Sequence, residues 1–365
     1  MLAIHQSHLQ VRDGLALPMR SVTWTGAPIL DACAIQARHG HLLVLTADGA
    51  LTGINVEAGT VACLCTVELH ELTAAHDGSH FGAPAHRLHA SLDGQYAAVV
   101  TDHGRHGTVV DLGSGTVTMR LDGGNYHEDT VPFSACFARF EERNVFIHRS
   151  DWNRLDVADP ATGRSLTDRH IAPWSSTSGR PEHYLDYFHG RLRLSPKGTR
   201  LFDDGWVWQP VAIPRVWSVQ DWLGSNPWES EDGASIVELI YRDDWTIPAC
   251  WINEQHLALW GLADWDEEEF SEAGQGPGVR IIDVTQDKRS PGERWPMEVH
   301  AGGVLELFSD GTRLYAATPT GTTVWDIASR TQLAELPGFT ARLLHPARNS
   351  LVAFGAGQIA ELAVP

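Results

Sequence analysis

The chain has 365 residues, with 27 basic residues against 46 acidic ones and a formal net charge of −19. Duplex nucleic acid and anionic bilayers are held largely by Lys and Arg neutralising phosphate, so neither is an expected partner of so acidic a surface. No stretch approaches the ~18 apolar residues of a membrane-spanning helix, and a cytoplasmic protein is expected.

At the N-terminus MLAIHQSHLQVRDGLAL has no basic start followed by a long apolar run, so it does not read as a leader. The first clear strand is 20–26 (RSVTWTG), with 2–11 as a second candidate for the same position or for its neighbour. A pattern then recurs seven times: an apolar run, a tight polar turn, a second apolar run. The copies are ACAIQARHGHLLVLTA, LHASLDGQYAAVVT, ACFARFEERNVFIHR, LRLSPKGTRLFDD, CWINEQHLALWG, LELFSDGTRLYAAT and RLLHPARNSLVAF. Each is followed by a third strand with one polar, usually acidic, residue among apolar ones: Asn55, Asp111, Asp156, Gln209, Asp283, Asp326 and Glu361. A fourth strand follows six of these after a short turn rich in Gly, Ser or Pro. Five cysteines (Cys33, Cys63, Cys65, Cys136 and Cys250) fall within these strands and read as free thiols of a reducing compartment.

Short-strand repeats of roughly 50 residues are characteristic of sheets arranged as blades in a ring. The expected fold is therefore all-β, a single seven-bladed β-propeller over 1–365. Its blades lie near 30–67, 86–121, 134–169, 189–220, 247–299, 303–336 and 340–365. The last copy ends just after its third strand, so 20–26 is expected to complete that blade and close the ring, which removes an exposed sheet edge. GTTVWDIASRTQLAEL, with Trp325-Asp326 in its third strand, resembles the WD-repeat family of propellers, and the likeness in layout covers roughly 20–365. That resemblance implies the propeller fold and no particular activity.

Connections of a propeller alternate between two faces. Here the long ones are expected after fourth strands (68–85, 122–133, 170–183 and 221–246) and between second and third strands (101–107, 149–153 and 263–278), all on one face. Long loops carried by a rigid scaffold are commonly functional. These loops bear Trp152, Trp174, Trp222, Trp228, Trp245, Trp265 and Tyr126 beside the acids Asp264 and Asp266. Large aromatics with acidic neighbours are typical anchors for a protein partner, and the charge favours a basic one. The expected role is a non-catalytic interaction scaffold without a cofactor. The alternative is a propeller hydrolase or lyase with a metal or small molecule at the channel mouth. His76, His80 and His86 would be its ligands, with Asp102, His103, Asp151, Asp203 and Asp204 near the axis. Neither a G-x-S-x-G elbow nor a phosphate-binding G-x-x-x-x-G-K-[ST] loop is present. The acids recurring in the third strands are expected to bond loop amides.

Overall fold

In the first, second and fourth repeats the second apolar run becomes the most deeply buried strand. In the first sheet, β3 (Ile29–Ala37), β4 (Gly40–Thr46), β5 (Ala50–Asn55) and β6 (Thr60–Thr66) form an antiparallel meander in which β4 is buried along its whole length while β6 is mostly open to solvent. The gradient has a simple cause: a strand near the axis is covered on both faces by neighbouring sheets, and the outermost strand is not. Burying a Leu or Val such as Leu43 or Val44 contributes ~1.5–3 kcal/mol relative to exposure. The computed structural model describes residues 2–10, 16–72, 82–170, 179–264, 276–286, 289–299, 303–355 and 357–364.

Six further sheets follow. The second holds β7 (Ala85–Ala90), β8 (Tyr96–Asp102), β9 (His106–Asp111) and β10 (Thr116–Asp122); the third holds β11 (Ala135–Phe140), β12 (Arg143–Asp151) and β13 (Arg154–Ala158). The fourth is built from β14 (Phe188–Leu194), β15 (Arg200–Val207), β16 (Val211–Ala212), β17 (Arg215–Ser218) and β18 (Val237–Glu238). The fifth has β19 (Ala249–Trp251), β20 (His256–Trp260), β21 (Gly278–Asp283) and β22 (Glu293–Pro296). The sixth has β23 (Glu306–Ser309), β24 (Arg313–Thr318), β25 (Gly321–Asp326) and β26 (Thr331–Pro337). The seventh joins β27 (Leu343–His345), β28 (Ser350–Gly355) and β29 (Gln358–Ala363) to β1 (Ile4–Gln10) and β2 (Ala16–Thr23) from the other end of the chain. First strands touch first strands around the whole circuit, β3 to β7, β11, β14, β19, β23, β27 and back to β3. The fold is a seven-bladed propeller, as the repeat implies.

Closure follows the expected route, with one addition. β2 pairs with β29 in the register Ser21↔Ala360 and Val22↔Ile359, completing the last blade, and β1 pairs along β2 as a fifth strand. The seam to the first blade is also polar. His345 Nε2 lies 3.0 Å from His41 O, and the His41 ring approaches Glu361, which also accepts from Arg348 Nε at 2.6 Å and Ser350 Oγ at 2.7 Å.

The repeated polar residue of the third strands has the structural role expected at four places. Asn55, Asp111, Asp283 and Asp326 each accept the amide of a residue two or three positions on, fixing the turn into the fourth strand. In the WD-like blade, Trp325 Nε1 donates to Thr323 Oγ1 at 2.9 Å. Asp156 differs, pairing with Arg169 and Arg154. In its sheet the fourth strand is reduced to one bridge, Ala158↔Ser165. Thr167 Oγ1 accepts from Val157 N there, beside the backbone bonds from Leu166 N to Val157 O and from Asp159 N to Arg164 O.

The fourth blade departs from expectation. WVWQP, with Gln209, is not its third strand. β15 runs on through Trp206 and Val207, turns at 208–210 and pairs with β16; the third strand is β17, which returns along the first half of β15. An alternating Trp206-Val207-Trp208 stretch suits either a separate strand or an extension of the preceding one, and local pattern does not distinguish them. Two short helices, α1 (Val219–Gly224) and α2 (Glu229–Asp232), then fill the connection from β17 to β18. Gly190 and Gly205 allow β14 and β15 to approach closely, since a Cβ on Gly190 would stand 1.9 Å from Asp204 O.

Deleting 1–26 removes both added strands and leaves β29 with an open edge. Size-exclusion chromatography should show self-association, and the thermal midpoint should fall by more than about 5 °C. Burial raises the Glu361 carboxyl, but bonds from His41, Arg348 and Ser350 outweigh it and hold the group at about 2. A lowered folded value means that the contribution is complete above the usual carboxylate range near 4.5 and fades as pH falls toward 2. Glu361→Gln should therefore cost about 2 kcal/mol in denaturant unfolding at pH 7, and the gap from the parent protein should narrow between pH 4.5 and 2.

Candidate functional site

The prolonged β15 hairpin carries two tryptophans at alternate positions, and both join one aromatic group. Trp245, in the connection after β18, stacks on Trp206 (centroids 4.5 Å apart, planes at 7°), and Trp206 stacks on Phe188 of β14 (4.4 Å, 10°). Phe188 in turn faces Tyr126 of the connection between the second and third sheets (6.0 Å, 13°). The four rings form a column from the interior to the surface. Trp208 packs edge-on against Phe188 at 5.5 Å and Trp206 at 5.2 Å, and Trp152, from the β12–β13 turn, leans on Phe188 at 4.7 Å. Offset stacks and edge contacts at such distances add ~0.5–1.5 kcal/mol per pair beyond burial. The base of the column is pinned, because Trp245 Nε1 donates to Thr130 O at 2.7 Å.

The top of the column is open. Tyr126 is 45% exposed and Trp208 43%, whereas Phe188 and Trp206 are 1% exposed. Asp151, Asp186, Asp243 and Asp244 are exposed on the chain segments that carry these rings. Asp151 and Asp186 act electrostatically on Tyr184, which also feels Tyr126, so both acids border the patch.

Of the residues singled out in the sequence, Tyr126, Trp152 and Trp245 come together in this patch. Trp222 and Trp228 do not: they lie on α1 and at the start of α2, in a connection that leaves from the opposite end of the sheet, where Ser218 pairs with Arg200. Trp222 is buried against Trp217, and Trp228 stacks on His183 at 4.2 Å. Asp264 is buried, accepting from the Arg289 guanidinium and Tyr241 N. Trp174, Trp265, Asp266, His76 and His80 lie outside the described residues. His86 Nε2 is engaged by His70 O at 2.8 Å. Phe188, Trp206 and Trp208 were not singled out from the sequence; the alternation of Trp206 and Trp208 in a turn-flanked run was the available signal.

Four polar residues of the alternative, enzymatic reading, Asp102, His103, Asp203 and Asp204, are already engaged. Asp102 accepts from Arg87 Nε at 2.7 Å and Phe133 N at 3.1 Å; burial raises its carboxyl, but Arg87 and Arg191 more than offset this and hold it ionised. Asp203 accepts from His189 Nδ1 at 2.6 Å and Gly190 N at 2.8 Å. Asp204 accepts from Arg242 and from Ile247 N, and burial pushes its carboxyl up. His103 Nδ1 donates to Asp129 O at 2.9 Å. Among the described residues no three His, Cys, Asp or Glu side chains gather as a metal site, and no helix is long and apolar enough to cross a membrane.

Trp206→Ala, at the centre of the column, should cost ~3–5 kcal/mol in denaturant unfolding. Trp245→Phe should keep the stack but lose the bond to Thr130 O, costing about 1 kcal/mol by the same measurement.

No protein-family model matches the chain, and no curated protein sequence matches it. Solved structures do. The β-propeller domain of Cps50 (Swd1) from Myceliophteria thermophila aligns with a TM-score of 0.54 and 13% identity over 94% of this chain and 98% of that one. A chain of the mitotic checkpoint complex gives 0.53 and 13% over 95% of each, and one of Kuenenia stuttgartiensis hydrazine synthase gives 0.59 and 13% over 93% and 97%. At this identity the likeness concerns the fold alone, and that fold is the seven-bladed β-propeller seen in WD-repeat proteins.

Proposed function

We propose that this protein is a non-catalytic interaction scaffold that docks a basic segment of a partner protein on the aromatic patch of Tyr126, Trp152 and Trp208. The observation that carries the reading is the exposure of two large rings at the end of a column whose lower rings are fully buried. Exposed Trp and Tyr held rigid by packing present large contact area at small entropic cost, which is what binding hot spots require. Acids at the border disfavour an acidic partner, and an Arg of the partner gains by stacking on Trp208 or Tyr126, roughly 0.5–2 kcal/mol. A propeller neighbour from the mitotic checkpoint complex agrees with a scaffold. A catalytic reading gains little from Asp102, Asp203 and Asp204, each bound to its own cation or amide. Five free cysteines suit the cytoplasm.

The test is quantitative co-purification from the native cell with Tyr126→Ser plus Trp208→Ser, and separately with Trp228→Ala as a control away from the patch. Specific partners should fall at least tenfold with the double variant and persist with the control, while circular dichroism and melting of the double variant match the parent. Equal recovery of every partner by a folded double variant would remove the patch from consideration.

A further inference from the structure

At one end of the ring's axis, arginines outnumber carboxylates among the described residues, the reverse of the molecule as a whole. Inner strands expose alternate residues to the axis, so positions i and i+2 share a face. On β7 these are Arg87 and His89, and on β14 they are Arg191 and Arg193. Together with Arg342, just before β27, they line a cavity of about 180 Å³. At ~30 Å³ for each water in the liquid, this is room for roughly six waters, or for one small ion.

Three carboxylates face the same cavity, and each is already engaged. Asp102 takes Arg87 at 2.7 Å; Glu306 takes Arg191 at 3.0 Å and Arg193 at 2.7 Å; Asp31 accepts Leu88 N at 2.8 Å and stands 3.9 Å from Arg87. Arg342 has no side-chain hydrogen bond or ion pair among the described residues, and it is exposed. Among the described residues, four guanidiniums therefore meet three carboxylates. Burial pushes the Asp31 carboxyl up and lowers Arg191, a loss that Glu306 offsets only in part. His89 adds a neutral donor: burial holds its imidazole at about 4, and its buried Nε2 has no partner among the described residues.

We propose that this end of the channel is a binding site for a small multivalent oxyanion, with Arg342 and Arg191 as its cationic contacts and His89 as a neutral one. A cation is the wrong occupant, since among the described residues each carboxylate there has an arginine or amide partner. The acidic exterior does not forbid an anion. Its charges act through solvent and are screened over ~8 Å at physiological ionic strength, whereas the arginines act at contact. Guanidinium is also the group best matched to a two-oxygen edge of phosphate or carboxylate. The cavity shares no lining residue with the aromatic patch, so binding there does not rest on the patch.

Isothermal titration calorimetry of the intact chain with inorganic phosphate, and separately with malonate, tests the proposal in low-chloride buffer. Saturable one-to-one binding of either probe is expected, phosphate alone marking a phosphate site and malonate alone a carboxylate site. Arg342→Gln, which breaks no pair in the fold, should weaken binding by about tenfold. Arg120→Gln, on the outer strand β10, should leave it unchanged. No saturable heat with either probe would overturn the proposal. So would equal binding by Arg342→Gln, or equal loss in Arg120→Gln, which would mark a diffuse charge effect.

Discussion

Every first strand in this molecule packs against the first strands on either side, and the circuit is completed only because β27 lies against β3. The seventh sheet is assembled from both ends of the chain, with β2 hydrogen-bonded to β29. Ring closure is thus a long-range contact between residues more than 300 positions apart, as in His345 to Ile35 and His41. Its entropic cost is incurred once, and in return each sheet is covered on both faces and the last sheet gains the strands it would otherwise lack. The seam is reinforced by a buried carboxylate, Glu361, shared among His41, Arg348 and Ser350.

Closure is also what makes the surface patch rigid. Tyr126, Trp152, Phe188, Trp206, Trp208 and Trp245 belong to connections or strands of the second to fifth sheets, and only fixed angles between those sheets place each ring within 4.4–6.4 Å of a neighbour in the group. An aromatic column with its base bonded to Thr130 O loses little further freedom on contact with a partner. The same geometry directs alternate residues of the inner strands to the axis, where arginines accumulate although the protein as a whole is acidic. One scaffold thus offers two chemically distinct surfaces: a broad apolar one with acids at its border, and a narrow cationic one.

The architecture was legible because it is repetitive. An apolar run, a tight turn and a second apolar run, followed by a polar residue in a third strand, is a local signal. Seven copies overcome the ambiguity of any single one. The caps at Asn55, Asp111, Asp283 and Asp326 are local too, joining residues two or three apart, and their purpose follows from position alone. The fourth blade was less readable. Whether Trp206 and Trp208 begin a new strand or extend the old one depends on which strand returns to pair with Arg200–Asp203, and that choice is made by packing.

From the amino-acid order alone came the number of blades, the completion of the last one by an N-terminal strand, and the absence of recognisable catalytic motifs. Tertiary structure alone decided which tryptophans are core and which are surface. Trp222 and Trp208 each sit between one polar and one apolar neighbour in the chain, Asp221 and Leu223 for the first and Val207 and Gln209 for the second, yet one is 1% exposed and the other 43%. It also decided which charges are matched, since Arg191 and Arg342 are separated by some 150 positions yet line one cavity. The reason is physical: strand period and turn chemistry act over a few residues, whereas burial and ion pairing depend on distances that exist only once the ring has closed.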